Sequence, residues 1–125
     1  HIVEYEYQMP KVLAAADLII CRAGAISLAE LSARELPSIL VPYPYAAEDH
    51  QTFNARVFEK NGAAYVILDK ELTDEALIDK IELLMDNPEE LKNMAQKVTG
   101  LRKIHAGEDI AHLALTLAEQ RKTKK

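Results

Sequence analysis

Short continuous runs of apolar residues alternate along the chain with longer segments whose apolar residues recur at helical spacing. The runs at residues 18–21, 38–41 and 63–68 are typical of parallel strands that are buried on both faces. The segments between and after them predict helices. In chain order the predicted helices cover residues 9–16, 25–34, 51–60, a segment that opens at 73 and breaks at 87, 88–101 and 108–121.

Residues at the predicted boundaries agree with this division. Pro10 falls in a first helical turn, where its missing N–H has no cost. Gly62 suits the left-handed end of a helix. Thr73 is an N-cap residue followed by acidic residues that suit the helix dipole. Residues 2–7 alternate apolar and polar side chains and predict a short strand or an extended loop, and residues 43–50 predict a loop.

Strands and helices alternate at least three times, which predicts an α/β fold with a Rossmann-like parallel sheet and flanking helices. Three strands are few for a freestanding doubly wound domain, which usually has about five or six. The chain also begins at His1 without a leader or a methionine. We therefore expect residues 1–125 to be a single partial domain, a fragment of a larger protein. An exposed sheet edge would favour pairing with a second copy of the chain, so a homodimer is one expected partner.

Composition narrows the classes of function. Hydrophobic residues make up 49% of the 125 residues, a globular balance. The formal net charge of −5 lacks the basic footprint of a nucleic-acid-binding domain. Cys21 is the only cysteine, so no disulfide forms within the chain, which fits a reducing cytoplasm. No apolar run approaches the roughly 18 residues that span a bilayer. The histidines have no metal-ligand spacing with cysteine or acidic residues, so no metal site is expected.

The end of the first predicted strand is a candidate binding site. Parallel sheets bind ligands beyond the carboxyl ends of their strands, where helix N-termini present free N–H groups. Gly24 permits close approach of the backbone, and the amides of Ala25, Ile26 and Ser27 could hold phosphate oxygens. Glu30, one turn later, could accept hydrogen bonds from two vicinal hydroxyls of a ribose. An alternative stays open, in which Gly24 is needed for a tight turn and Glu30 is a surface acid.

The end of the second predicted strand carries another polar cluster. Gln51 offers donors and acceptors that suit sugar hydroxyls. His50 is a weak candidate for acid–base catalysis, because no nucleophile or triad partner accompanies it. A lone histidine at a helix start is more often a cap or a hydroxyl partner. Asp49 could cap the following helix instead of contacting a ligand.

Taken in order, these residues resemble a known family. Residues 17–25, with Ser27 and Glu30, resemble the central motif of MurG-type N-acetylglucosaminyltransferases, and the likeness continues through Leu36-Pro37, Val41-Pro42 and residues 49–55. It covers residues 5–66 and weakens over the last helices. Each motif alone is weak, whereas the ordered set is specific.

The resemblance implies part of the C-terminal, donor-binding domain of a GT-B glycosyltransferase, which has two Rossmann-like domains facing a cleft. Such enzymes transfer N-acetylglucosamine from UDP-N-acetylglucosamine to a lipid-linked muramyl pentapeptide, converting lipid I to lipid II for peptidoglycan. They act in the cytoplasm, at the inner face of the membrane. The general base and the membrane-docking face belong to the N-terminal domain, so this chain alone is expected to be inactive.

The resemblance also assigns residues. Glu30 would bind the ribose hydroxyls, and the turn formed by Gly24 and residues 25–27 would face the diphosphate. His50 and Gln51 would face the N-acetylglucosamine ring, and the backbone near Glu6 would edge the uracil, although the family usually has an apolar residue there. The helix dipole would assist the departing UDP without a metal or other cofactor. Alternatives are another GT-B UDP-sugar transferase, the donor-binding subunit of a split enzyme, or a catalytically silent nucleotide-binding or oligomerising module.

Overall fold

The structure is a computed structural model that describes residues 1–103 and 105–123. The helices and strands follow the predicted order. They are α1 (Met9–Ala15), β1 (Ile19–Cys21), α2 (Ala25–Arg34), β2 (Ser38–Leu40), α3 (His50–Lys60), β3 (Ala64–Val66), α4 (Asp74–Met85), α5 (Pro88–Thr99) and α6 (Ala106–Thr123). Short 3-10 turns occupy Ala47–Asp49 and Asp69–Glu71.

The three strands form one parallel sheet in the order β1-β2-β3. Side chains of the central strand alternate between two cores, as a pleated strand requires. Leu40 packs in a core with residues of α2 and α3, whereas Ile39 packs with residues of α4 and α5. Helices therefore cover both faces of the sheet, which confirms the predicted α/β class with a Rossmann-like parallel sheet.

The strands are shorter than the apolar runs that predicted them. Regular pairing stops after three residues in each strand. Single hydrogen bonds continue the ladders, with Val41 N donating to Cys21 O at 2.9 Å and Ile67 N donating to Leu40 O at 3.0 Å. Pro42 then ends the central ladder, since proline has no N–H to donate. Residues 2–7 form an exposed coil, so of the two predicted states the loop is observed.

Helix ends differ from the predictions by one or two residues. The helix α3 begins at His50, one residue earlier than predicted, and α5 ends at Thr99 because the chain turns at Gly100. The predicted left-handed glycine after α3 is confirmed, since Gly62 has a φ of 70°. The last helix, α6, begins at Ala106 and ends at Thr123.

One edge of the sheet is formed by β1. Within residues 1–103 and 105–123, β1 pairs with β2 and with no other strand. Ile20, in the middle of β1, remains 42% exposed. A homodimer through this edge stays a prediction.

Candidate functional site

The carboxyl end of β1 leads directly into the N-terminus of α2. Gly24 is the N-cap residue, with extended backbone angles of −67° and 146°. No side chain caps this end, and its first turn has no acidic residue. The first amides of a helix have no acceptor within the helix. The N–H groups of Ala25, Ile26 and Ser27 therefore remain available to an acceptor outside it, and Ile26 is 79% exposed beside them.

The backbone of Gly24 does not require glycine. Its φ is negative, and a β-carbon added there would lie 3.9 Å from Ser27 Oγ and 4.0 Å from Gln51 Nε2, which are ordinary contacts. The interpretation that Gly24 is needed for a tight turn is therefore wrong. What glycine contributes is the absence of a side chain that would contact Ser27 and Gln51 beside the first turn of α2.

The side chain of Gln51 links the ends of two strands. Its Oε1 accepts hydrogen bonds from Ala23 N and Tyr43 N, each at 3.1 Å. Two N–H donors require an oxygen, so the orientation of the amide follows from its partners. Both lone pairs of Oε1 are occupied, and the Nε2 group is left to donate. In this arrangement Nε2 is the group of Gln51 that faces a ligand, as a donor, and the predicted contact of Gln51 with a sugar stays a prediction.

Arg22 connects the ends of all three strands. Its Nη1 donates to Val41 O at 3.3 Å, to Pro42 O at 3.2 Å and to Asp69 Oδ1 at 2.6 Å. Val41 and Pro42 follow β2, and Asp69 follows β3. Sequence reasoning missed this role of Arg22. A cation directly after a buried strand was the signal in the sequence, but its partners lie up to 47 residues away.

Glu30 lies on the exposed side of α2, one turn beyond Ile26 and Ser27. The buried residues Leu28 and Leu31 lie on the other side of that helix. Within the described part of the chain, Glu30 has neither a hydrogen-bond partner nor an ion-pair partner. Its carboxylate is therefore exposed and without a partner in the middle of α2, five residues after Ala25.

The segment before α3 corrects one prediction. Asp49 occupies the N-cap position, but its side chain makes no capping hydrogen bond and its backbone is left-handed, with a φ of 54°. Capping residues usually have extended backbone, which explains the missing bond. His50 is exposed, and its Nε2 lies 3.6 Å from Glu48 Oε2. No nucleophile contacts His50 within the described residues.

The remaining observations concern Glu6, Cys21, possible metal ligands and possible membrane-spanning helices. Glu6 lies in the coil before α1, where its carboxylate accepts a hydrogen bond from Gln8 N. Burial raises the pKa of the Cys21 thiol above its ordinary value, so the thiol is a poor nucleophile at neutral pH.

In residues 1–103 and 105–123, no three histidine, cysteine, aspartate or glutamate residues converge as metal ligands. Metal-free binding stays a prediction. The described helices include none that is both long and apolar enough to span a membrane.

Comparison with known proteins identifies the family. Residues 1–113 match the model of the glycosyltransferase family 28 C-terminal domain. The chain belongs to this family. A family 28 relative from Thermoanaerobacter sp. (strain X514) is 54% identical over 112 residues, which are 90% of this chain and 31% of the relative. One from Desulfitobacterium hafniense (strain Y51) is 49% identical over 117 residues, which are 94% of this chain and 32% of the relative.

Both family 28 relatives carry the name UDP-N-acetylglucosamine–N-acetylmuramyl-(pentapeptide) pyrophosphoryl-undecaprenol N-acetylglucosamine transferase. The crystal structure of Acinetobacter baumannii MurG superposes with a TM-score of 0.84 at 34% identity, covering 90% of this chain and 32% of that one. The chain thus spans about a third of the length of these proteins. The match confirms the predicted fold class and the predicted family.

Proposed function

We propose that the chain is the donor-binding part of a MurG-type transferase. The longer enzyme would move N-acetylglucosamine from UDP-N-acetylglucosamine to a lipid-linked muramyl pentapeptide, forming lipid II for peptidoglycan. The names of the relatives support this activity. The observation that carries the proposal is the N-terminus of α2, which directly follows the end of β1 and has neither a capping side chain nor an acidic residue in its first turn.

The diphosphate of the donor would lie on the first turn of α2. Backbone N–H groups and the positive end of the helix dipole stabilise phosphate without a charged side chain. The same groups would stabilise the charge that develops on UDP as the glycosidic bond to phosphate breaks. A metal ion is not required for this stabilisation.

The remaining donor contacts would surround this turn. Glu30 would accept hydrogen bonds from the two ribose hydroxyls, because its carboxylate is exposed and has no partner in the described chain. His50 and Gln51 would face the sugar, with Gln51 donating through Nε2. The backbone near Glu6 would edge the uracil.

The rest of the reaction belongs to the part of the protein outside this chain. An inverting transfer needs a general base that removes the proton of the acceptor hydroxyl. Among the residues described above, His50 has neither a nucleophile nor an orienting partner apart from Glu48, so we assign it no catalytic role. A further domain or a partner subunit would supply the base, would bind the lipid-linked acceptor and would dock at the cytoplasmic face of the membrane.

Titration of the 125-residue chain with UDP, followed by NMR amide shifts, tests the proposal. We expect the largest shifts at residues 24–27. Glu30→Ala should weaken UDP binding by roughly tenfold or more, since a hydrogen bond to a charged group contributes about 1.5–3 kcal/mol. Glu82→Ala, which removes an exposed acid from α4, is the matched control and should bind like the wild type.

Ligand variants make the test specific. The penalty of Glu30→Ala should shrink for 2′-deoxy-UDP, which lacks one of the two hydroxyls. Equal binding of UDP by Glu30→Ala and by the wild type would remove the ribose assignment. A thermal-shift panel should rank UDP-N-acetylglucosamine above UDP-glucose and ADP, and a preference for ADP would contradict the proposed donor.

A further inference from the structure

Side chains of α3 bind both backbone polar groups of Ala23. Ala23 is fully buried, and its N–H donates to Gln51 Oε1 at 3.1 Å. Its carbonyl accepts a hydrogen bond from Asn54 Nδ2 at 3.5 Å. Residues three apart on a helix share one face, so the side-chain amides of Gln51 and Asn54 reach the two peptide groups that flank the α-carbon of Ala23. Buried backbone groups need partners, and here side chains of a single helix supply both.

This arrangement controls the position of the α2 N-terminus. Ala23 directly precedes Gly24, the N-cap residue of α2. Gln51 also accepts the hydrogen bond of Tyr43 N, so the same oxygen connects the ends of β1 and β2. A shift of the Gln51 side chain would therefore move the free amides of α2 relative to the second strand end.

The NH2 group of the Gln51 side-chain amide lies close to Gly24. Nε2 is 4.0 Å from the point where a β-carbon of Gly24 would lie. Since Oε1 is occupied by two backbone donors, this side of Gln51 can act towards a ligand only as a donor. It therefore matches an acceptor oxygen, such as a phosphate or sugar oxygen.

We propose that Gln51 and Asn54 form an amide clamp on Ala23 that positions the first turn of α2 and restricts Gln51 to donating towards the bound donor. Asn54 is a positioning residue, and Gln51 combines positioning with recognition of an acceptor oxygen. The inference rests on the proposed function, because it assigns the clamp to the same donor site. The hydrogen bond to Gln51 is 3.1 Å long and the one from Asn54 is 3.5 Å long.

Substitution of Gln51 separates the two roles. In Gln51→Glu a carboxylate still accepts from Ala23 N and Tyr43 N but cannot donate at neutral pH. We expect slow hydrogen exchange of both amides to persist, with a loss of more than tenfold in affinity for UDP-N-acetylglucosamine, because the donor is lost and the new carboxylate also repels the diphosphate. In Gln51→Ala both amides should exchange faster, and the affinity should fall as well.

The variant Asn54→Ala tests whether the clamp positions the N-terminus of α2, because Asn54 makes no proposed contact with the ligand. Asn54→Ala should weaken donor binding by a few-fold and change the amide shifts of Ala23 and Gly24 in the free protein. Thr73→Ala is the matched control, because it removes a hydrogen bond from α4 and should leave donor affinity and these shifts unchanged. A general loss of stability would affect both variants alike, whereas a clamp affects Asn54→Ala alone.

The outcomes distinguish the clamp from the proposed function. If the wild-type chain shows no amide shifts with UDP or UDP-N-acetylglucosamine, the proposed function fails. If the wild type binds but Gln51→Glu binds equally well, the donor role of Nε2 is wrong. Unchanged exchange of Ala23 and Tyr43 in Gln51→Ala, or unchanged binding in Asn54→Ala, would overturn the clamp.

Discussion

The N-termini of α2 and α4 differ in how their first amides are satisfied. At α4, Thr73 Oγ1 accepts a hydrogen bond from Ala76 N at 3.1 Å, and Asp74 and Glu75 add negative charge in the first turn. At α2, Gly24 has no side chain that could accept a hydrogen bond, and no acid lies in the first turn. Both helices begin after extended backbone, so backbone conformation is not the cause of the difference.

The helix α5 follows the pattern of α4. Asn87 Oδ1 accepts from Glu90 N at 3.2 Å, and Glu89 and Glu90 lie in the first turn. At α4 and α5 the chain thus supplies its own acceptor and negative charge, whereas α1 and α3 have neither. The α2 N-terminus lacks both, and an external anion such as a diphosphate would complete it.

Gly24→Asp gives the N-terminus of α2 a capping side chain and a negative charge, as α4 has, and should have the largest effect on UDP affinity. The carboxylate would cap the free amides and repel a diphosphate, so we expect UDP affinity to fall by about 100-fold. Two charges about 4 Å apart near a protein surface interact by roughly 4 kcal/mol, and screening by water and salt at this exposed turn reduces this to the roughly 2.7 kcal/mol of a 100-fold loss. Stability should stay equal or rise by a few tenths of a kcal/mol. Calorimetric titration and thermal unfolding measure the two effects.

Gly24→Ala is the control for this variant. The added methyl group meets only ordinary contacts, so the stability of the chain should remain close to that of the wild type. UDP binding should weaken less than in Gly24→Asp, because a methyl group fills space without adding charge. If Gly24→Asp binds UDP as tightly as the wild type does, the first turn of α2 does not hold the diphosphate.

Thr73→Ala makes the opposite change at α4. Loss of the capping oxygen should lower the free energy of unfolding by about 1 kcal/mol. UDP affinity should stay unchanged, since α4 contributes no proposed donor contact. Denaturant unfolding monitored by circular dichroism measures the loss. An equal loss of UDP affinity would remove the distinction between the two helix ends.

The acidic first turn of α4 predicts a small pH effect. A backbone hydrogen bond and the Thr73 hydroxyl lower the pKa of Glu75 below its ordinary value of 4.5. A lowered folded-state pKa stabilises the fold above the ordinary value, and this contribution is lost as pH falls through the lowered pKa. Glu75→Gln should therefore reduce the acid dependence of the melting temperature. The effect is small because Glu75 is exposed, and an identical acid profile for Glu75→Gln would contradict it.

Much of the fold followed from local patterns. The helix α2 has the bounds predicted from its apolar spacing, and Thr73 caps α4 as predicted. Continuous apolar runs located all three strands but overstated their lengths. The reason is that hydrophobicity reports burial, whereas regular pairing also needs an N–H at each step, which Pro42 lacks.

The candidate site was predictable as a set of residues but not as a set of contacts. The sequence indicated Gly24, Glu30 and Gln51, and it offered both the amide nitrogen and the amide oxygen of Gln51 to sugar hydroxyls. In the structure that oxygen binds the backbone of Ala23, 28 residues away. No local pattern contains this information, because it depends on how the strand ends lie beside α3.

The sequence by itself determined the α/β class, the order of the elements, the family and the uncapped start of α2. The family follows from a resemblance carried by an ordered set of motifs, and the other properties arise from side-chain periodicity and backbone preferences that act over a few residues. Tertiary structure alone decided that Arg22 joins three strand ends and that two amides of α3 hold Ala23. Such hydrogen bonds form between distant residues, so they exist only once the parallel register brings the strand ends together.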